Sequence, residues 1–286
     1  MLVFGSSNSE DLAWEVSKNL NAGLGKLEVQ KFPDGELYVR VDSDVKGEEL
    51  AVIKRTRTSD DLIELILTLD ALRDSGARLI HTVLPYMIYS RQDKRFKKGE
   101  ALSAKTLLKV LDELSDDITT VNCHFLRESD ERVYHSVRIR NLDAIPQIVD
   151  YFRDKIRRPL VIAPDKGSMP YAQEAAELLD CEFNHLQKKR VSGKEVIIKS
   201  KELDVTRNDI LILDDMISTG GTIAEAAKVI RGWKPQSINV GCVHGLFLNG
   251  IEQFKGTVDR LVCTNTLQTP ISKVSVSDII AGDLKR

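Results

Sequence analysis

With 286 residues, 42% of them hydrophobic and 29% charged, the chain holds enough apolar side chain for buried cores and enough charge for a solvated surface, which excludes long disorder. Two domains of ordinary size, or one large one, fit that length. A formal net charge of −2 argues against a nucleic-acid binder or a membrane-surface protein, so local basic clusters are read as sites for small anions.

The chain opens on Met1-Leu2-Val3-Phe4-Gly5, where no basic flank precedes an apolar run, and no apolar run reaches the length of a membrane span; a cytoplasmic location is expected. β-branched runs then alternate with helical periodicity. In the first half, strands are expected at Leu2–Phe4, Ala51–Ile53, Leu79–Leu84 and Ile118–Asn122, with helices at Asp11–Leu20, Asp60–Asp74 and Ser103–Leu114. In the second, helices at Pro146–Asp154, Tyr171–Leu179 and Thr222–Gly232 alternate with strands at Leu160–Ala163, Ile210–Leu213, Ile238–Val243 and Arg260–Val262. Ser103 is the expected cap of its helix and Gly232 the expected stop of its own. Such alternation implies an α/β fold of mainly parallel sheets flanked by helices.

Strand, small-residue turn and helix recur at Leu2–Val16 and again at Leu160–Ala176, a hint of two related domains. A boundary near Asn141–Pro146 divides the chain into residues 1–142 and 143–286, and the tail 265–286 is free to pack on the first half. The cysteines Cys123, Cys181, Cys242 and Cys263 lie far apart in or beside apolar stretches and are expected to be reduced core thiols.

The sharpest signal is Ile210–Thr222. Four apolar residues form a buried parallel strand, and Asp214 and Asp215 follow at its carboxyl end, where open α/β sheets place their ligands. Ser218, Thr219, Gly220, Gly221 and Thr222 come next and open a helix. Both glycines are expected in conformations closed to other residues, so that successive N–H groups turn around an anion at a helix N-terminus. Two carboxylates beside a phosphate must face something else, and adjacent sugar hydroxyls, which donate to carboxylates, fit. An Asp-rich turn capping an ordinary helix is the plain alternative for Asp214-Asp215 alone. The whole segment resembles the signature of the phosphoribosyltransferase fold, which binds ribose 5-phosphate or its activated pyrophosphate, without choosing between making and consuming that compound.

Phe32-Pro33-Asp34-Gly35-Glu36 reads as a rigid turn in which Phe32 offers a flat face to a purine while Asp34 and Glu36 accept from an exocyclic amine. Arg91 and Gln92 lie near the end of a Pro-Tyr segment, Pro85–Asp93, where a guanidinium suits polyphosphate. With the sugar loop, these stretches resemble the ribose-phosphate pyrophosphokinases from the first strand to about residue 265. The resemblance implies two tandem phosphoribosyltransferase-like domains, ATP and ribose 5-phosphate as substrates, Mg²⁺ as cofactor, and the products AMP and phosphoribosyl pyrophosphate (PRPP). It implies ATP binding by Phe32, Asp34, Glu36, Arg91, Gln92 and His124, with the Phe32 loop reaching a neighbouring subunit of a homodimer or larger homo-oligomer. It assigns metal contacts to His124 and Asp165, ribose 5-phosphate binding to Asp214, Asp215 and Ser218–Thr222, and catalysis to Lys188 and Arg190 on a loop that closes over the triphosphate. The chain departs from the pattern at Phe125–Glu128, where bacterial members have a Gln-rich helix, and at Lys166 and Met169, where many members are richer in glycine. A salvage transferase that consumes PRPP and a silent regulatory protein are the rival readings. Arg91-Gln92 and Phe32–Glu36 speak against the first, intact Lys188 and Arg190 against the second.

Overall fold

The computed structural model describes residues 1–126, 131–134, 136–191, 194–198 and 205–286, with the side chains of 187–191 and 194–198 excepted. The chain divides into two compact units: residues 1–143 with 276–286, and residues 144–275.

The first unit runs β1 (Leu2–Gly5), α1 (Glu10–Leu20), β2 (Gly23–Leu24), β3 (Leu27–Lys31), β4 (Leu37–Val41), β5 (Glu49–Ile53), α2 (Ser59–Asp74), β6 (Leu79–Leu84), α3 (Ser103–Leu114), β7 (Asp117–Val121), β8 (Glu131–Tyr134) and β9 (Val137–Leu142). Seven strands form one sheet in the order β2-β1-β5-β6-β7-β9-β8, parallel throughout except for the β8–β9 pair. The central strands are almost continuously buried, and β7 keeps Thr119 and Thr120 inside. Phe4, Leu50, Val52, Leu69, Ile80 and Leu107 are part of the core this makes. β3 and β4 stand apart as an antiparallel hairpin. The order reverses between β1 and β5, and there lies a buried ionic network. Lys54, fully buried just past β5, places Nζ 2.7 Å from Glu64 Oε2 and 3.4 Å from Asp61 Oδ1. Ser7, just past β1, donates its amide to Glu64 Oε1 (3.0 Å) and its hydroxyl to Oε2 (2.7 Å). Burial pushes the Glu64 carboxyl up, but the Lys54 and Ser7 contacts outweigh it and hold the group below its ordinary value.

The second unit runs α4 (Ile145–Arg153), β10 (Pro159–Ala163), α5 (Met169–Leu179), β11 (Phe183–His185), β12 (Gln187–Val191), β13 (Lys194–Ile198), β14 (Asp209–Ile217), α6 (Gly221–Gly232), β15 (Ser237–Gly245), β16 (Arg260–Thr264) and β17 (Ser272–Val274). Its sheet is wholly parallel, in the order β11-β10-β14-β15-β16-β17, and β12–β13 is a separate hairpin. Leu160, Ile210, Ile212, Ala226, Ile230 and Val240 are part of its core. The same reversal recurs between β10 and β14. The last helix, α7 (Ser277–Leu284), returns to the first unit, where buried Asp283 accepts from the Thr119 hydroxyl (2.7 Å) and from Arg140 Nε (2.9 Å). Residues 265–275 stay with the second unit, so the tail parts at 276.

Several local expectations change. Ser103 lies inside α3, whose cap position is Leu102 with no side-chain bond. Gly232 is the last residue of α6 and the left-handed residue after it is Lys234. Cys123, Cys242 and Cys263 are buried thiols, but Cys181 is partly exposed. Among the described residues, no helix is long and apolar enough to cross a membrane.

The Lys54–Glu64 pair ties both strands of the first reversal to α2, and breaking it leaves the buried ammonium with the longer Asp61 (3.4 Å) and Ser7 (3.2 Å) contacts. Glu64→Leu is expected to destabilise this unit by about 3–5 kcal/mol, with Lys54→Met/Glu64→Leu recovering most of the loss. Hydrogen exchange of the β5 amides reads both; a double variant no more protected than the single one contradicts the assignment.

Candidate active site

In the second unit, the chain leaves β10 through Pro164-Asp165-Lys166-Gly167-Ser168 and enters α5. Asp165 Oδ1 accepts from the amides of Gly167 (2.8 Å) and Ser168 (3.2 Å), which folds the loop back on the strand end. The Ser168 hydroxyl lies 3.0 Å from Asp214 Oδ1 and 3.3 Å from Asp165 Oδ1. It therefore spans the two strand ends at the point where the order reverses, the crevice that doubly wound sheets use for ligands.

β14 does not stop at Leu213. Its ladder with β15 continues through Asp214 opposite Cys242 to Ile217 opposite Gly245, so both acids lie within the strand. Adjacent strand residues leave from opposite faces, yet these carboxylates still sense each other. Burial, reinforced by the neighbouring Asp215 carboxylate and by Asp165, pushes Asp214 up to about 8. Its Oδ1 accepts from the Ser168 hydroxyl (3.0 Å) and the Asp215 amide (3.0 Å), which do not offset the burial and like charge, and sugar hydroxyls or a divalent ion would favour the ionised form further.

The turn after β14 is built by backbone as well as side chains. Ser218 accepts at its carbonyl from Leu248 N (2.9 Å), and Gly220 caps α6 at φ 86°, a left-handed conformation. A Cβ there would meet Gln253 Nε2 at 2.7 Å and Phe254 at 2.9 Å, so glycine is required twice over. Gly221 differs from expectation: it is the first helical residue, and a Cβ on it would meet no atom within 4 Å. Its value lies in the open space before the helix. Gly220 has no side chain to cap α6, and the first-turn amides of Gly221 and Thr222 have no intrahelical acceptor, so they remain available to an anion. Thr219 and Thr222 are exposed and Ser218 partly so.

Two contributors are not singled out by the sequence reading. Gln253 donates to the Thr219 carbonyl (2.6 Å) and to the Gly250 carbonyl (3.1 Å), clamping the turn from a distant loop. Ser168 joins the two loops; only its hydroxyl two residues before Pro170 at the start of α5 offered a local signal.

In the first unit, Phe32–Glu36 is the tip of the β3–β4 hairpin. It is closed by Phe32 N donating to the Glu36 carbonyl (2.8 Å) and Gly35 N donating to the Phe32 carbonyl (2.9 Å). Gly35 sits at φ 95°, and a Cβ there would meet nothing within 4 Å. Phe32 is 50% exposed, with one edge-on contact to Tyr38 at 5.9 Å between centroids. Asp34 uses Oδ1 to accept from Glu36 N (3.1 Å), while the Glu36 side chain is exposed.

Arg91 and Gln92 follow β6 and His124 follows β7, so all three lie on loops at the carboxyl edge of neighbouring parallel strands. Arg91 and His124 are exposed. Gln92 donates Nε2 to the Lys94 carbonyl (3.1 Å) and to Glu100 Oε2 (3.3 Å). Glu100 also accepts from the amides of Phe96 (2.7 Å) and Lys97 (3.0 Å), which folds the basic run Arg95–Lys98 around one carboxylate. Lys188 and Arg190 lie on β12, and their side chains, like residues Arg127 and Glu128, fall outside the described ones. Among the described residues, no three His, Cys, Asp or Glu side chains converge on one metal position.

The comparisons with known proteins agree with one another. A family model described as the N-terminal domain of ribose phosphate pyrophosphokinase matches residues 1–114, and a phosphoribosyl transferase domain model matches residues 138–260. The ribose-phosphate pyrophosphokinase of Methanothermobacter thermautotrophicus is 37% identical over 99% of this chain and 100% of its own length. That of Pyrococcus furiosus is 38% identical over 96% of this chain and 97% of its own. The fold is also that of phosphoribosylpyrophosphate synthetase from Mycobacterium smegmatis, with a TM-score of 0.84 at 24% identity, covering 99% of this chain and 97% of that one. Identity of this order across the full length of two relatives shows that the chain belongs to the ribose-phosphate pyrophosphokinase family of enzymes.

Proposed function

We propose that the chain transfers the β,γ-pyrophosphoryl group of Mg–ATP to the anomeric hydroxyl of ribose 5-phosphate, giving PRPP and AMP, as a cytoplasmic enzyme. The observation that carries this reading is the β14–α6 junction, where the Asp214 carboxyl, pushed up by burial and by Asp215 beside it, adjoins a glycine-started helix whose first-turn amides have no intrahelical acceptor. A sugar phosphate meets both needs at once. Its hydroxyls donate to Asp214 and Asp215, and its phosphate accepts from the amides and hydroxyls of Ser218–Thr222.

The ribose 1-oxygen attacks the β-phosphorus and loses its proton as the new P–O bond forms. The bond from that phosphorus to the α,β-bridging oxygen breaks, and the oxygen departs on AMP. Positioning and charge stabilisation dominate such a transfer. Phe32 supplies a face for the adenine and Asp34 and Glu36 accept from its amine. Arg91, Gln92 and His124 hold the nucleotide. Lys188 and Arg190 neutralise charge that develops on the moving group.

Mg²⁺ fits the donors present. Asp165 keeps hard oxygen on a loop beside Asp214, and one or two carboxylates completed by phosphates and water are the set this ion takes. Asp165 and His124 are the residues assigned to it, and when bound it neutralises the polyphosphate.

Phe32 at the hairpin tip is 50% exposed, and its proposed role is to complete a neighbouring subunit's site in a homodimer or larger homo-oligomer.

Incubation of the chain with Mg²⁺, ATP and ribose 5-phosphate is expected to give AMP and PRPP in equal amounts; formation of ADP instead, or no AMP even with phosphate added, contradicts the reading. Lys188→Ala is expected to lower kcat by about 100-fold or more while ribose 5-phosphate binding changes little. Equal loss of both in steady-state kinetics and calorimetry would exclude a transition-state role. Co-expressed Phe32→Ala and Lys188→Ala chains are expected to show more activity per site than either alone, because one site in the mixed oligomer is intact. Strict averaging of the two parents would place the hairpin in its own chain's site.

A further inference from the structure

The amino-terminal edge of the second unit's sheet carries a feature that the proposed reaction does not use. An open concavity of about 490 Å³ is bordered by Lys155, Arg157, Arg158, Arg207 and Arg260, with Asp209 as the one acid among the described residues that border it. Arg157 and Arg158 directly precede β10, Arg207 precedes β14, and Arg260 begins β16, so parallel strands deliver cations to one edge. The Asp214–Thr222 segment leaves the opposite edge. Asp214 lies five residues beyond Asp209 and Ser218 nine, which at about 3.3 Å each puts the two places roughly 17 to 30 Å apart.

The single acid does not balance the cations. Asp209 accepts from the Ser237 hydroxyl (2.5 Å) and from the amides of Arg157 (2.8 Å) and Arg158 (3.4 Å). Burial pushes its carboxyl up, but these donors, with the charge of Arg260, hold it below its ordinary value. Its oxygens thus fix the backbone that presents the arginines. Lys155 donates to the Tyr151 carbonyl (2.7 Å) and lies over the Tyr151 ring at 4.0 Å, and Arg260 donates to Asn239 Oδ1 (3.1 Å). The exposed guanidinium groups of Arg157, Arg158 and Arg207 have no hydrogen-bond or ion-pair partner among the described residues. Elsewhere in this unit, Arg153 is paired with Asp150 (3.0 Å) and Arg231 with Asp259 (2.6 Å), so leaving arginines unpaired is not the unit's general habit.

We propose that this concavity is a second anion site and binds a short inorganic polyphosphate chain of two or three phosphates. Guanidinium forks match phosphate oxygens two at a time, and several forks in one hollow exceed what a single phosphate can use. Among the described residues, no aromatic side chain borders the hollow to take a base, which favours bare polyphosphate over a nucleotide.

Calorimetric titration of the full chain with inorganic tripolyphosphate tests this. Binding is expected to survive in Lys188→Ala/Arg190→Ala, which disables the proposed reaction site, and to weaken at least about tenfold in Arg157→Ala/Arg158→Ala/Arg207→Ala. Arg207→Ala alone, at an exposed and unpaired side chain, is expected to fold normally and weaken binding about threefold or more. Turnover at saturating substrate should be unchanged in these arginine variants. Wild-type affinity in both arginine variants overturns the site, as does loss of all binding in Lys188→Ala/Arg190→Ala. Inorganic phosphate binding as tightly as tripolyphosphate at equal ionic strength overturns the chain-like ligand.

Discussion

A carboxylate held at the end of a buried parallel strand, against the electrostatics of its neighbours, sets the terms for the rest of the second unit. Asp214 stays in the β14 ladder opposite Cys242, with Asp215 beside it and Asp165 across the crevice. Burial and the neighbouring acids raise it although its Oδ1 accepts from the Ser168 hydroxyl and the Asp215 amide. The Ser168 hydroxyl bridges toward it, Gly220 turns the chain sharply enough to start α6, and Gln253 clamps the carbonyl of Thr219. What remains unmet is a demand for hydroxyl donors or a hard cation next to open helix amides. A phosphorylated sugar with Mg²⁺ answers that demand on each count.

The two units share a strand order and use it differently. At the reversal in the first unit, the crevice between the β1 and β5 ends is filled by the chain's own charges: Lys54 pairs with Glu64, and Ser7 satisfies the carboxylate. A site closed in this way holds strands, and the residues with free chemistry move outward to the loops after β6 and β7 and to the hairpin tip. At the reversal in the second unit, no cation among the described residues plays the part of Lys54, and a serine spans the strand ends. One architecture is thus self-neutralised in the first unit and left open in the second. That contrast is in keeping with the proposed sugar site in the second unit and the proposed nucleotide contacts on exposed loops in the first.

Much of this was legible in the sequence wherever the cause was local. Buried parallel strands announce themselves as apolar runs, and the Ile210–Thr222 segment carries its strand, acids and glycines in one stretch. The end of β14 was not legible, because acids disfavour strands and only pairing with distant β15 carries the ladder past them. Nor could adjacent glycines be told apart: Gly220 needs its left-handed backbone because Gln253 and Phe254 press on it, a contact made by a remote loop. The cap of α2 was readable in principle. Thr58 and Asp61 form a reciprocal box, but the acid is aspartate where glutamate or glutamine is the usual sign. The β3–β4 hairpin also alternates apolar and polar residues, a signal that a search for continuous buried runs passes over. Lys54 had no local signal beyond following four apolar residues, since its partners come from α2 and the β1 loop.

The central claim is that Asp214 and Asp215 are matched by sugar hydroxyls. Calorimetry comparing ribose 5-phosphate with 2-deoxyribose 5-phosphate, which keeps the phosphate and removes one hydroxyl, tests it most directly. Leaving a mostly buried carboxylate without its donor costs about 1–3 kcal/mol, so the deoxy sugar is expected to bind about 10- to 100-fold more weakly. Equal affinity for the two sugars would mean that the phosphate alone is recognised and that the paired acids face something else.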